Sequence, residues 1–331
     1  MIKSLILFIT GLLLLYKGGD FFVDSAVEIA RRRRIPEMII GATIVSIGTT
    51  IPEVTVSALA SGAGEADIAY GNAIGSVICN TALIAGILLC LSPTLVRRRA
   101  LASGALFLAL SCVVFFIFAY TFGVINWSTG LFLLGVFLVY ILYSAHSAAK
   151  APREAPSPPQ HAGATAAPLW RSLAKLAVSA AAIFFGSNLL VNNGVLIAGA
   201  LGVPDQIIAL TFIALGTSLP ELVTAISAAL KRHSAISLGN IIGANFFNLT
   251  LVSGLSAVIS PTFMPSHQVI PDFLTAALVM LLLTVPALVF GKTSRLQGAA
   301  LLAAYALYIM FLFSGALRPD AVTTFAPYII S

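Results

Sequence analysis

The chain has 331 residues, 59 % of them hydrophobic and only 9 % charged, with a mean hydropathy of +1.02. A water-soluble domain carries about a quarter of its residues as charges, so a soluble fold is excluded. The net charge of +6 sits in short segments between long apolar runs, which is a membrane-topology pattern and not a nucleic-acid surface.

Apolar runs of about 20 residues are long enough to cross a ~30 Å hydrocarbon core as helices. Ten spans are predicted, at 3–30, 36–62, 68–92, 100–121, 126–148, 170–198, 204–231, 234–259, 270–290 and 295–316. The first has no small-residue cleavage site before its charged end and reads as a span, not a signal peptide. Asp20 and Asp24 inside it read as helix-end or ion-pair groups beside the run Arg31 to Arg34. Cys79, Cys90 and Cys112 lie within spans at no metal or disulfide spacing, and read as buried small apolar residues. Residues 149–169, rich in Ala, Pro, Ser, Gln, His and Gly, read as a flexible linker between halves 1–148 and 170–331. His146, His161, His233 and His267 read as linker or loop residues without a catalytic role.

Laying the spans end to end sorts the charges. Fifteen of the 18 Lys and Arg fall on one side, while Glu65, Asp67, Asp205, Asp272 and Asp320 fall on the other. The positive-inside rule then makes the linker cytoplasmic and places both termini outside. Each half holds five spans, an odd number, so the second half is expected to lie upside down relative to the first.

The halves also repeat in sequence. Gly-Thr-Thr-Ile-Pro-Glu at 48–53 recurs as Gly-Thr-Ser-Leu-Pro-Glu at 216–221, and each is followed by Gly-Asn-x-Ile-Gly, at 71–75 and 239–243. The offset is 168 throughout: Glu53 with Glu221, Pro52 with Pro220, Asn72 with Asn240, Asn80 with Asn248. Proline cannot donate the helical hydrogen bond and clashes with the preceding turn, so both helices should break there and free carbonyls over Ser46 to Thr49 and Ala214 to Thr217. Bare carbonyls at membrane depth are tolerated only where they line a cavity or meet an ion. A charged carboxylate there costs several kcal/mol unless compensated. One such motif is as well explained as a plain kink; two at a constant offset point to a shared site. Carboxylates, carbonyls and the hydroxyls of Thr49, Thr50, Thr217 and Ser218, without His or Cys, form a hard-oxygen set suited to Ca²⁺ or Na⁺. Gly71, Gly75, Gly239 and Gly243 read as close helix-packing positions. Ser76, unlike its counterpart Ala244, adds a hydroxyl, and the amides of Asn80 and Asn248 need partners that an ion site would supply.

These motifs resemble the α-repeats of the cation/Ca²⁺ exchanger superfamily, and most closely the prokaryotic sodium/calcium exchangers. The resemblance covers the whole chain, with repeat segments at 39–92 and 207–260. It implies an all-α polytopic membrane protein of ten transmembrane helices in two inverted five-helix repeats. It also implies an antiporter that exchanges Ca²⁺ for Na⁺ by alternating access, with the first and sixth spans moving across a rigid core. By position, Glu53 and Glu221 would hold a central Ca²⁺. Thr49, Thr50, Thr217 and Ser218, with Ser46 and Ala214 through backbone oxygens, would complete this and adjacent Na⁺ sites, flanked by Ser76, Asn80 and Asn248. Ala244 stands where well-studied exchangers have Ser, and Asn248 where they often have Asp, so the site has two carboxylates. A Ca²⁺/H⁺ exchanger of the same superfamily, and an ion channel, stay open as alternatives. No Ser/His/Asp set or metal-ligand His spacing occurs in the sequence, so no enzyme activity and no cofactor is expected. The expected partners are Ca²⁺, Na⁺ and the lipid bilayer, with a monomer as the working unit in a prokaryotic inner membrane.

Overall fold

The computed structural model describes residues 2–64, 66–122, 124–150, 168–201, 216–263 and 266–316. The helices, in chain order, are α1 (Ile2–Arg33), a bent α2 (Glu37–Thr49 and Ile51–Gly62), α3 (Ile68–Leu91), α4 (Arg98–Phe122) and α5 (Trp127–Lys150). After the linker come α6 (Leu169–Ala200), α7 (Leu219–Leu230), α8 (Ser234–Ile259), α9 (Ser266–Phe290) and α10 (Arg295–Ala316). Among the described residues eight helices are long and apolar enough to cross a membrane, or nine if the two arms of α2 are one span. The seventh predicted span, 204–231, is described only from 216 on, and of the linker residues 151–167 lie outside the described set. His161 is among the latter.

The fold is not purely helical. Val124–Ile125 (β1) pairs antiparallel with Thr262–Phe263 (β2), and Leu95 forms a single bridge to Lys292. These short ladders satisfy backbone groups where chain leaves a helix at the edge of an apolar bundle. Two further readings are corrected. His146 lies inside α5 and His267 inside α9, not in loops; the Trp127 and Ser266 helices simply extend over them. Asp272 lies in the predicted span near the start of α9 and accepts hydrogen bonds from Tyr308 (3.1 Å) and Tyr70 (3.5 Å). Cys90 is half-buried rather than buried, although Cys79 and Cys112 are fully so.

Two hydrophobic clusters divide the molecule. The larger gathers α3, α4, α5, α8 and α9 with the inner face of α7, and its largest buried rings are Phe115, Phe246 and Phe247. The smaller is built on Phe22 and joins α1 and α6 to the first arm of α2. The central helices are α3 and α8, with 72 % and 83 % of their apolar stretches buried against 33 % or less in the other long helices. The outer faces carry exposed Leu, Ile and Phe, as a lipid-facing surface requires.

Contacts between the halves recur with partners exchanged. The bridge Leu95–Lys292 shifts by +168 and −168 onto the pair Phe263–Val124. Gly86 packs against Gly298 so closely that a Cβ at Gly298 would come within 2.7 Å of the Gly86 carbonyl; shifted in the same way, this becomes Gly254 against Gly130, where a Cβ at Gly130 would meet the Gly254 carbonyl at 2.6 Å. The crossing of α1 and α6 maps onto itself: Gly11 abuts Gly186, and the shifted pair also meets, a Cβ at Gly18 coming within 3.3 Å of the Ser179 carbonyl. Two π-helical turns, Cys79–Ile84 in α3 and Asn248–Val252 in α8, obey the same offset. So do the left-handed residues that end α2 and α7, Gly64 (φ 86°) and Arg232 (φ 64°).

On the predicted cytoplasmic side, Asp20 and Asp24 do form ion pairs, with Lys231 Nζ at 3.1 and 2.8 Å, tying α1 to the end of α7. His233 Nδ1 lies 2.8 Å from Glu37, and Arg32 pairs with Glu28 one turn back on α1.

Candidate functional site

The repeated proline acts as expected. The helix stops at Thr50 (φ −84°, ψ 0°) and at its counterpart Ser218 (φ −85°, ψ 2°), and in both cases Pro opens the next helix in its first turn. A missing N–H costs nothing there, because first-turn donors have no partner in any helix. The two arms of α2 meet at 44°. The next residue, Glu53 or Glu221, therefore projects from the first turn of a helix into the protein interior, where the local dipole favours an anion.

Both carboxylates are fully buried. They lie close enough for their charges to repel one another. Three of their four oxygens, Glu53 Oε1 and Oε2 and Glu221 Oε2, accept no hydrogen bond from the protein among the described residues. The fourth, Glu221 Oε1, is 3.4 Å from the Thr50 hydroxyl of the other half. Two buried anions with unpaired oxygens are strongly unfavourable unless a cation compensates them.

The other predicted oxygens are mostly buried as well. Thr49, Thr50, Ser218, Ser76, Asn80 and Asn248 are all buried, and Thr217 is half-buried. Ser218 Oγ lies 3.4 Å from Ser76 Oγ. Among the described residues the side chains of Asn80 and Asn248 have no hydrogen-bond partner, and each stands in the first positions of a π-helical turn. Such turns widen the helix and recur at functional sites. Ala244 is fully buried. Ala214 falls outside the described residues. The carbonyl of Ser46 is not bare: it accepts the Thr50 N–H at 2.9 Å, and the Thr49 hydroxyl, whose shorter acceptor is Asn240 Oδ1, lies 3.4 Å from it. The helix stays bonded up to Thr49, so the carbonyl that loses its donor to Pro52 is that of Gly48; any ion contact by Ser46 uses what its second lone pair has left.

The glycine reading holds for one repeat. Gly239 lies against the backbone of Met38, and Gly243 against Ala42 and Ser46. Nothing described approaches a Cβ at Gly71 or Gly75; residues 206–214, which the offset would bring there, lie outside the described set.

Sequence reasoning missed four polar residues at this locus. Asn72 donates through Nδ2 to Ser57 Oγ (2.9 Å) and to the Glu53 carbonyl (3.3 Å), and accepts at Oδ1 from Thr217 (3.0 Å). Its counterpart Asn240 accepts at Oδ1 from Thr49 (3.2 Å) and donates to Thr224 Oγ1 (3.3 Å), while the Ser46 hydroxyl, 3.1 Å from the same oxygen, is closer to the Gly41 carbonyl at 2.8 Å. The Thr224 hydroxyl lies between the Pro220 carbonyl at 2.8 Å and the Glu221 carbonyl at 3.0 Å. Asn72 and Asn240 were visible in the repeat as the residue after the first glycine, but glycine spacing accounted for that motif first. The Cys79 thiol also borders the locus beside Ser218, and was read only as packing.

Chemically, the locus offers two carboxylates, several hydroxyls and two amide side chains in a dry interior. Among the described residues no three His, Cys, Asp or Glu side chains cluster as a metal-ligand group. The donors fit a hard cation of charge +2, or two of charge +1, and do not fit a soft transition metal.

Comparison with known proteins agrees with this chemistry. The family model described as sodium/calcium exchanger protein matches residues 3–145 and 171–314. The chain is 32 % identical over 348 residues to the sodium/calcium exchanger MaX1 of Methanosarcina acetivorans, covering 94 % of this chain and 98 % of that protein. It is 36 % identical over 270 residues to the inner membrane protein YrbG of Escherichia coli, covering 79 % and 81 %. A solved structure of the sodium-calcium exchanger NCX_Mj, soaked with 2.5 mM Na⁺ and 0.1 mM Ca²⁺, superposes with a TM-score of 0.80 at 29 % identity over 96 % of this chain and 99 % of that one. The chain is a multi-pass membrane protein and belongs to the sodium/calcium exchanger protein family.

Proposed function

We propose that this protein is an antiporter that exchanges Ca²⁺ for Na⁺ by alternating access, with one central Ca²⁺ site between Glu53 and Glu221. The observation that carries the reading is the buried glutamate pair with three unpaired carboxylate oxygens. Two ionised carboxylates balance one Ca²⁺ or two Na⁺. The same pair cannot hold both loads, so the ions compete for it and exchange follows in place of cotransport. Thr49, Thr50, Thr217 and Ser218, the backbone oxygens of Ser46 and Ala214, and the side chains of Ser76, Asn80 and Asn248 complete this and neighbouring Na⁺ positions. Family membership, and a relative and a solved structure named as sodium/calcium exchangers, support the choice of ions.

The architecture belongs to the same proposal. Halves 1–148 and 170–331, joined by a cytoplasmic linker at 149–169, form ten spans as two inverted five-helix repeats with both termini outside. The exchanged contacts at an offset of 168 support a two-fold relation, and the ladders Leu95–Lys292 and Val124–Phe263 are its most regular instance. The close crossing of α1 and α6 at Gly11 and Gly186 supports their movement as a pair across the rigid core. The working unit is a monomer. A prokaryotic inner membrane fits, since the relative YrbG is named as an inner membrane protein.

Replacing either glutamate tests the site. Glu53→Gln and Glu221→Gln should each abolish Ca²⁺ flux in proteoliposomes, because one remaining carboxylate cannot neutralise Ca²⁺. Flux at the wild-type rate in either variant would remove the paired-glutamate site.

A further inference from the structure

We infer that Asn72 and Asn240 are positioning residues: each fixes the hydroxyl of the other half's motif threonine so that its oxygen, and not its proton, faces the cation. The inference rests on the exchange site proposed above and adds two residues to it.

The argument starts from the hydroxyl. A threonine side chain has one proton and two lone pairs on a rotor free to turn, and only a lone pair can face a cation. Beside two carboxylates the proton's preferred direction is toward an anionic oxygen, where it would occupy the ion's ligand. Something must therefore hold the proton elsewhere. Asn72 Oδ1 lies 3.0 Å from Thr217 Oγ1 and Asn240 Oδ1 lies 3.2 Å from Thr49 Oγ1, both as acceptors. An amide oxygen cannot donate, so the direction of each bond is set once the amide is oriented. That orientation is set in turn by the other end of the amide. Asn72 Nδ2 donates to Ser57 Oγ and the Glu53 carbonyl, and Asn240 Nδ2 donates to Thr224, whose hydroxyl lies between the Pro220 and Glu221 carbonyls.

Each amide thus links the glutamate turn of its own half to the threonine of the opposite half. The threonines adjoin the helix breaks at Thr50 and Ser218, where regular backbone bonding is interrupted and a turn would otherwise be free to shift. The two braces are related by the offset of 168 but not identical: Asn72 reaches the glutamate carbonyl directly, whereas Asn240 reaches it through Thr224, whose counterpart is Val56. The Ser46 hydroxyl lies 3.1 Å from Asn240 Oδ1, but its one proton has its shortest acceptor in the Gly41 carbonyl at 2.8 Å.

Double-mutant cycles on the full-length purified protein test this, read as the half-saturation for radiolabelled Ca²⁺ binding and, in proteoliposomes, as half-saturation against maximal exchange rate. Asn72→Leu should raise the half-saturation about tenfold, the worth of one such bond, with a smaller effect on maximal rate. In a Thr217→Val background, where no proton needs holding, it should add less than about twofold, while in Thr49→Val it should keep its full effect. Asn240→Leu should show the reverse partner choice, and Thr217→Ser, which keeps the hydroxyl, should restore the coupling to Asn72. Serine at 72 or 240 is the substitute if a leucine variant does not give a monodisperse protein. Equal effects of Asn72→Leu in both threonine backgrounds, or an unchanged half-saturation, would overturn the brace while leaving the exchanger reading intact. No Ca²⁺ binding by the wild-type protein would overturn both.

Discussion

Two positions that depart from the pattern the resemblance implies lie on α8. Asn248 is fully buried with an unpaired amide, and Ala244, one turn before it, contributes no oxygen. Introducing the missing groups should move Na⁺ and Ca²⁺ unequally. Ala244→Ser buries a hydroxyl that costs about 1–3 kcal/mol when unsatisfied. The variant should therefore melt below the wild type in Na⁺-free buffer and recover in high Na⁺, because a ligand that binds only the folded state stabilises it. A deficit that Na⁺ does not repair would mean that position 244 does not face a Na⁺ site. Asn248→Asp adds a third carboxylate, and should increase the Na⁺ needed for half-maximal displacement of Ca²⁺, since the pocket then holds a divalent ion more tightly. Unchanged displacement would place Asn248 away from the ions.

Helices α2 and α7 show what the sequence discloses and what it hides. Their breaks were legible because proline acts locally: Pro52 and Pro220 each end one helical arm and open the next, wherever the chain then goes. The buried glutamates followed from the same local rule together with the repeat. The braces were not legible, since Asn72 and Asn240 bond to residues 145 and 191 positions away and only the fold brings them together. The π-helical turns were hidden as well, because one extra residue in a turn leaves no compositional trace. Ser46 shows the converse limit: a proline two turns on predicts freed carbonyls only to within a residue or two. Element ends supply further tests. Arg232 holds a left-handed conformation (φ 64°) that its counterpart Gly64 adopts without strain. Arg232→Gly should raise thermal stability by about 0.5–1 kcal/mol, and a loss would mean that the arginine side chain contributes more than its backbone costs. At the crossing of α1 and α6, Gly186→Val would drive a side chain to within about 3 Å of the Gly11 carbonyl. The expected loss is about 1–3 kcal/mol, seen as a lower melting temperature, together with slowed exchange if the two helices move as a pair.

At the scale of the whole molecule, the two-fold relation explains why the candidate site sits where it does. Each half supplies one glutamate-bearing helix that proline opens and one central helix, α2 with α3 and α7 with α8, and neither half alone can assemble the oxygen set. The periphery departs from the relation. Lys231 clamps Asp20 and Asp24 on one side, whereas the shifted positions are Ala63, Asn188 and Asn192, which carry no charge. Asp272, bonded to Tyr308, has Gly104 as its counterpart. The halves therefore share the chemistry of the centre and differ at the two membrane faces, as an exchanger with unequal solutions on its two sides allows. The multi-pass character was legible from apolar length because lipid imposes it, and eight helices among the described residues, or nine with the two arms of α2 as one, meet that length. The central claim, that one glutamate pair takes Ca²⁺ and Na⁺ in turn, is tested most directly by Ca²⁺ uptake into proteoliposomes. Vesicles loaded with Na⁺ should accumulate Ca²⁺, and vesicles carrying only an outward H⁺ gradient should not. Uptake driven by H⁺ alone would contradict the account.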